Sequence, residues 1–147
     1  MRKGIKEKQQ TGLRVVLDTN VYVSAFNFPE GTLREIWQHA RRGTFELLIS
    51  PAIVNELGRI LRERFLWNER DIRARITELS RIGEIVMPRA IPTAIEDDPA
   101  DNQILACAIE GRAHVIVSGD QHLRRLKEYQ GIAIVRPADF LHMFVGY

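Results

Sequence analysis

Short β-branched runs alternate with helical segments along the whole chain, and this alternation constrains the fold more than any other feature. The helical segments show apolar residues at three- and four-residue spacing. Strands separated by helices pair in parallel and need cover on both faces. The pattern therefore predicts an α/β domain, a three-layer α/β/α arrangement around a central, mainly parallel sheet. The predicted sheet has about five strands. They are LRVVLD (13–18), FELLIS (45–50), EIVMP (84–88), HVIVSGD (114–120) and GIAIV (131–135).

Local signals set the helix boundaries in the first half. Thr32 and Glu35 have the T-x-x-E spacing of a capping box, and Gly43 follows that helical segment as its stop signal. Ser50 followed by Pro51 is typical of a helix start, with serine as N-cap and proline at the first helical position. These signals predict one helix on each side of the second strand.

The second half carries similar signals. Asn68 is predicted to cap a helix that runs to about residue 81. Asp98 is predicted to cap a helix in which Asp101 takes the third position, and Gly111 suits its C-terminal end. Residues 121–129 are predicted to form a short helix before the last strand.

Size and composition indicate one domain. The chain has 147 residues, 45% of them hydrophobic, which suffices for a core of its own. Residues 1–12 are polar and basic and carry a charge of +3, so the rest of the chain is near neutral at −1 within the net charge of +2. We predict a flexible leader there and a single domain over 13–147. No apolar run approaches the roughly 20 residues of a membrane span, and we expect a cytoplasmic protein without membrane contact.

A single cysteine, Cys107, lies in the apolar segment ILACAIEG. One thiol excludes an internal disulfide and a cysteine zinc cage. Its apolar surroundings favour a buried, inert thiol over a nucleophile.

Four carboxylates fall at strand ends or in the first turns of helices: Asp18, Glu56, Asp101 and Asp120. The carboxyl ends of parallel strands meet at one edge of a sheet. Acids gathered there repel one another unless a cation joins them. The first hypothesis is therefore a divalent-metal site, and the first chemistry to test is hydrolysis of a phosphate ester.

Each acid also has an explanation that needs no metal. Asp18 and Asp120 can cap the helices that follow them, and Asp98 is an ideal cap as well as a further candidate ligand. Glu56 lies too deep in its helix to be a cap, but it can pair with Arg59 on the same helix. These alternatives stay open at the level of the sequence.

Motifs that the sequence lacks exclude several other classes of enzyme. The sequence has no P-loop, no G-x-G-x-x-G and no G-x-S-x-G elbow. An aspartyl phosphatase would need D-x-D after the first strand, and a receiver domain an acid pair before Asp18; the chain has neither. His122, two residues after Asp120, could approach the site, but we favour a surface position for it. Arginines that could hold substrate phosphates are Arg41, Arg42, Arg59, Arg124 and Arg125.

Four segments in order resemble a PIN-domain nuclease: VVLDTNVYVSAF, SPAIVNELGRIL, DPADNQILACAIEG and VIVSGDQHL. Their order and spacing agree over roughly residues 14–136. The forms D-P-x-D-N and S-G-D-x-x-L are closest to the branch of VapC-like toxins from toxin–antitoxin pairs.

The resemblance implies a metal-dependent ribonuclease. Mg²⁺ or Mn²⁺ would be held by the carboxylates of Asp18, Asp101, Asp120 and Glu56. Asn20 and Ser118 would orient the first acid. A metal-activated water would attack an RNA phosphodiester, a cognate antitoxin protein would bind the enzyme, and the chain would form a homodimer.

Two departures from the family pattern reduce the number of acids. Position 100 is Ala and position 122 is His, where this branch often has acids. We expect both to weaken metal binding without removing a core acid. The alternative function is a weak or inactive PIN scaffold that binds RNA or a protein partner.

Overall fold

Strand β1 (Arg14–Leu17) lies inside a six-stranded sheet in a computed structural model that describes residues 11–95 and 98–144. The sheet order is β3-β2-β1-β4-β6-β5, and every neighbouring pair is parallel except β5 with β6. The other strands are β2 (Glu46–Ile49), β3 (Gly83–Ile85), β4 (Val115–Val117), β5 (Glu128–Tyr129) and β6 (Ile132–Val135).

Seven helices connect these strands among the described residues. They are α1 (Thr19–Asn27), α2 (Thr32–Arg42), α3 (Pro51–Glu63), α4 (Glu69–Ile82), α5 (Pro99–Glu110), α6 (Gln121–Leu126) and α7 (Pro137–His142). None of them is long and apolar enough to cross a membrane.

The strand β1 is covered on both faces. Val15, Val16 and Leu17 are each fully buried, although successive side chains of a strand point to opposite faces. Helix α5 packs against β1, β2 and β4, and α1 packs against α2 and α3. This arrangement confirms the predicted α/β/α architecture with a mostly parallel sheet.

The sheet reverses its direction of winding between β1 and β4. From β1 the chain builds outward through β2 to β3, then returns to place β4 on the other side of β1. Leu17 is in register with Val117, and the Asp18 N–H donates to the Val117 carbonyl across 2.9 Å. Ligands of open α/β sheets bind at such a reversal, outside the carboxyl ends of the strands.

Three predicted N-caps are confirmed. The Ser50 hydroxyl accepts from the Ile53 N–H at 3.4 Å and the Asn68 side chain from the Asp71 N–H at 2.9 Å. The Asp98 carboxylate accepts from the Asp101 N–H at 3.2 Å. These contacts join residues three apart, which is why the sequence alone could predict them.

The predicted capping box at Thr32 and Glu35 is wrong. Helix α2 begins at Thr32 itself, so the N-cap is Gly31, which has no side chain to offer. Gly31 has a φ of 112°, a conformation that favours glycine, and its carbonyl accepts from the Glu35 N–H. The start of the helix is thus set one residue earlier than the box requires. Gly43 does end the helix, in the left-handed conformation.

The predicted helix over 121–129 is too long. Helix α6 ends at Leu126 because Lys127 turns the chain with a φ of 58°. Glu128–Tyr129 then pairs antiparallel with β6 across a turn at Gln130 and Gly131, both with positive φ. This short hairpin adds the sixth strand at the edge of the sheet.

Gly111 ends helix α5 as predicted, but for a packing reason. Its φ of −80° is open to any residue. A Cβ there would lie 2.9 Å from Leu48 Cδ1 and 3.0 Å from Val86 Cγ2. Glycine is needed because the end of α5 lies directly against the sheet.

The predicted flexible leader falls almost entirely outside the described residues, which begin at Thr11. The Thr11 N–H donates to the Thr44 carbonyl at 2.9 Å, next to the start of β2. The single-domain assignment of residues 13–147 stays a prediction.

Candidate metal centre

Three of the four predicted acids meet where the sheet reverses. Asp18 directly follows β1, and Asp120 lies three residues beyond β4 at the start of α6. Asp101 lies in the first turn of α5, which packs on both strands. A ligand atom of Asp101 lies within 4.8 Å of one from Asp120, and Ser118 joins the Asp18 carboxylate to the Asp120 backbone.

Asp18 is held in place by a buried serine. The carboxylate is only 6% exposed, and the Ser118 hydroxyl donates to its Oδ2 at 2.7 Å. The same hydroxyl oxygen accepts from the Asp120 N–H at 2.9 Å, so one side chain links the ends of β1 and β4. Burial raises the pKa of Asp18, and the hydrogen bond from Ser118 partly opposes that rise.

Asp101 is the most perturbed acid of the group. It is 4% exposed, and its Oδ2 has no hydrogen-bond partner among the described residues. Burial raises its pKa to about 8, with further contributions from the negative charges of Asp120, Asp98 and Asp18. An unpaired buried carboxylate is costly, and a bound cation would remove that cost.

Four side chains converge at one point: Asp98, Asp101, Asp120 and His122. One ligand atom from each lies within 4.8 Å of the other three. Asp18 is not one of these four, and it is tied to them through Ser118 and Asp120. No lysine or arginine within residues 11–95 and 98–144 forms an ion pair with any of the five groups.

Asp98 and Asp120 have structural roles as well. Asp98 caps α5, and Asp120 Oδ1 accepts from the His122 N–H at 2.7 Å, capping α6. Each carboxylate has a second oxygen beyond the one that makes these bonds. Capping and metal binding are therefore compatible in both residues, and the cap fixes the direction of the carboxylate.

A cavity of about 200 Å³ opens beside the acids. Its lining includes Asp18, Asn20, Gly119 and Asp120. Asn20 is exposed there, and no hydrogen bond joins it to Asp18 in the part of the chain that the structure describes. Ser118 therefore makes a hydrogen bond that suits its predicted role in orienting Asp18. For Asn20 that role stays a prediction.

Glu56 is not brought into the converging group. It lies on α3, and both of its carboxylate oxygens accept from Arg59 at 2.9 Å. It is absent from the charges that raise the pKa of Asp18 and Asp101. In this structure Glu56 forms the ion pair on the helix surface that was the alternative to metal binding. Its role as a ligand stays a prediction.

Of the five predicted phosphate-binding arginines, Arg124 has a contact at the site. It donates to the Gly119 carbonyl at 3.4 Å, beside Asp120. Arg41 and Arg42 end α2 at the opposite end of the sheet, where the strands begin. Arg59 is engaged by Glu56 and Glu63. Arg125 is exposed on α6.

A family model described as a PIN domain matches residues 14–122. The chain belongs to the PIN domain family. The matched region runs from β1 through His122, so it contains Asp18 and all four converging side chains of this PIN domain.

The chain is also similar to a curated protein and to solved structures. MJ1680, an uncharacterized protein from Methanocaldococcus jannaschii, is 28% identical over 128 residues, covering 84% of this chain and 81% of that protein. The crystal structure of VapBC2 from Rickettsia felis, bound to a promoter DNA fragment, matches 84% of this chain and 98% of its own. The TM-score is 0.61 at 16% identity.

A second solved structure, PAE2754 from Pyrobaculum aerophilum, covers 92% of this chain and 98% of its own. Its TM-score is 0.53 at 12% identity. At these identities both structures show the shared fold.

Sequence reasoning underestimated His122. It is half exposed, as a surface residue should be, yet its Nδ1 lies among the acids. Its place two residues after Asp120 had left an approach to the site open, and the Asp120 cap at the start of α6 brings the two residues together.

Proposed function

We propose that this PIN domain is a metal-dependent endoribonuclease that hydrolyses RNA phosphodiester bonds. One observation carries the proposal. Asp101 Oδ2 is buried and lacks a hydrogen-bond partner among the described residues, within a group of four acids that no lysine or arginine neutralises. A fold that keeps such a group gains from a cation that binds it.

The oxygen-rich donor set fits Mg²⁺ or Mn²⁺, which favour carboxylate ligands. Asp18, Asp101 and Asp120 would hold the ion, with Asp98 beside them. When bound, such an ion lowers the pKa of a bound water and neutralises negative charge that develops on the phosphate.

The protein's own residues position these groups. Ser118 fixes Asp18 and the Asp120 backbone at once, so both acids stay oriented without rearrangement. The cavity lined by Asp18, Asn20 and Asp120 provides room for a phosphate next to the acids. Arg124, at the Gly119 carbonyl, supports the approach of an anionic backbone at the rim.

The proposal extends to the biological setting. The likeness to VapBC2, a toxin–antitoxin complex by its name, supports a toxin role with a cognate antitoxin protein as partner. A homodimer and a cytoplasmic location belong to the same proposal. The ribonuclease activity can be tested without any of these additions.

Defined single-stranded and hairpin RNAs are the substrates for the test, with Mn²⁺, Mg²⁺ or EDTA present. Asp101→Asn removes the perturbed acid. Asp71→Asn is the matched control, because Asp71 holds the same third position behind an N-cap in α4. We expect cleavage by the unchanged chain and the control with metal, and none in EDTA. The loss in Asp101→Asn should exceed the roughly 10–100-fold effect of groups that only orient a ligand.

Equal cleavage in EDTA and in metal would contradict the proposal. So would undiminished cleavage by Asp101→Asn. Binding of RNA without cleavage under every metal condition would instead favour the scaffold alternative.

A further inference from the structure

His122 stands at nearly equal distances from three carboxylates. Its Nδ1 lies 3.9 Å from Asp98 Oδ2, 4.0 Å from Asp101 Oδ2 and 3.8 Å from Asp120 Oδ1. All three distances are too long for hydrogen bonds. Two ligand atoms that share one ion, each about 2.1 Å from it, lie roughly 3–4 Å apart. The spacing therefore suits a common cation.

The neighbouring acid supplies independent support. Asp101 Oδ2, one of the three oxygens that face the imidazole, is buried and has no hydrogen-bond partner in the described part of the chain. If a hydrogen bond to His122 satisfied that oxygen, no ligand would be needed. Because the imidazole stays 4.0 Å away, the oxygen and the ring nitrogen are both available to a third group.

The backbone of His122 is fixed beside Asp120. Asp120 Oδ1 accepts from the His122 N–H at 2.7 Å and from the Leu123 N–H at 3.4 Å. Leu123 is fully buried and anchors α6 in the core. The backbone from which the ring extends is thus fixed by the same cap that orients the Asp120 carboxylate.

We infer that His122 is a nitrogen ligand of the proposed metal site and shifts its preference from Mg²⁺ toward Mn²⁺. The inference rests on the metal site of the proposed function. Mg²⁺ is a hard ion that favours oxygen ligands, whereas imidazole nitrogen suits ions further along the first transition series. A histidine at the rim therefore makes this site a mixed nitrogen–oxygen site instead of an all-oxygen one.

Pulsed electron paramagnetic resonance of bound Mn²⁺ tests the inference directly, because an imidazole nitrogen bound to the ion modulates the electron spin echo. The full chain is loaded with one equivalent of Mn²⁺. We expect nitrogen modulation in the unchanged chain and in His142→Ala, an exposed histidine on α7. We expect none in His122→Ala.

Affinity measurements provide the second readout. Competition between Mg²⁺ and Mn²⁺ is followed by the signal of free Mn²⁺. His122→Ala should weaken Mn²⁺ binding by at least about 10-fold, the lower end of what lost metal-site contacts cost. His122→Asp should lower the preference for Mn²⁺ over Mg²⁺ by a similar factor, since it restores an oxygen ligand.

The outcomes separate the two proposals. Bound Mn²⁺ without nitrogen modulation in the unchanged chain overturns the role of His122 and leaves the metal site standing. An unchanged metal preference in His122→Asp also overturns it. Absence of any Mn²⁺ binding by the unchanged chain overturns both.

Discussion

Asp101 shows how a single side chain couples the fold to its proposed ligand. Its pKa of about 8 in the folded protein lies well above the ordinary value of 3.8, first because of burial and then because of neighbouring acids. Between these two values the folded chain binds more protons than the unfolded chain. Without metal, the free energy of unfolding should therefore fall as the pH rises from about 4 to 8.

We predict that Asp101→Asn flattens this pH dependence, because asparagine does not ionise. Urea unfolding in EDTA at several pH values measures it. At pH 8 the substitution should raise the midpoint of unfolding, whereas Asp71→Asn should leave the pH profile as it is. A profile for Asp101→Asn as steep as that of the unchanged chain would contradict the burial argument.

Ser118 provides the second prediction at this scale. Removing its hydroxyl leaves Asp18 Oδ2 without its 2.7 Å hydrogen bond and the Asp120 N–H without an acceptor. We expect Ser118→Ala to destabilise the protein by about 1–3 kcal/mol in EDTA, as measured by urea unfolding. Ser80→Ala, at an exposed position on α4, should change stability by less than about 0.5 kcal/mol. Equal effects of the two substitutions would show that the Ser118 contact contributes nothing.

At the scale of the elements, helix α5 begins with a residue that has two proposed roles. Asp98 caps the helix and also faces the metal site. Asp98→Ser keeps a capping oxygen but removes the charge, whereas Asp98→Ala removes both. Both variants lack the charge, so in EDTA we expect Asp98→Ala to be about 1 kcal/mol less stable than Asp98→Ser, which keeps the cap.

Mn²⁺ binding should separate these roles further. Both Asp98 variants should bind the ion more weakly than the unchanged chain in a calorimetric titration, because both lack the carboxylate. Full Mn²⁺ affinity in Asp98→Ser would show that Asp98 is only a cap.

Two glycines give an opposing pair of predictions about helix packing. Gly111→Ala should destabilise the protein by about 1–3 kcal/mol, because its Cβ would meet Leu48 Cδ1 at 2.9 Å. Gly58→Ala, in the interior of α3, should stabilise it by up to about 1 kcal/mol, because its nearest side-chain contacts are an ordinary 3.7 Å. Thermal unfolding of both variants measures the difference, and effects of equal sign would contradict it.

Elements set by local contacts were predictable. The caps at Ser50, Asn68 and Asp98 each need only a residue three positions away, so the sequence contains the whole signal. The hairpin of β5 and β6 depends on positive φ at Lys127 and Gln130. Neither residue type is typical of that conformation, so the sequence did not predict the turn. The start of α2 at Thr32 likewise depended on the backbone of Gly31.

At the scale of the whole molecule, parallel pairing made the site largely predictable. Asp18 and Asp120 follow strands β1 and β4, and alternation of strands and helices was enough to expect their ends at one edge. The distance of Glu56 from the other acids depended on how α3 lies against the sheet, which no local pattern encodes. Its pairing with Arg59, three residues away on the same helix, could be predicted from the sequence. The position of His122 among the acids depends on the Asp120 cap at the start of α6.

The proposed metal site joins the two halves of the sheet. Ser118 already links the ends of β1 and β4, and α5 brings Asp98 and Asp101 from a third element. A cation would be held by groups from three separate parts of the chain. The proposed function therefore depends on whether an ion occupies that point.

A crystal structure of the full chain grown with Mn²⁺, with anomalous scattering recorded, tests this most directly. We predict an anomalous peak between the carboxylates of Asp101 and Asp120, within about 2.3 Å of their oxygens. The peak should be absent in crystals of Asp101→Asn and present in those of Asp71→Asn. Crystals of the unchanged chain with no peak at this point, at saturating Mn²⁺, would contradict the account.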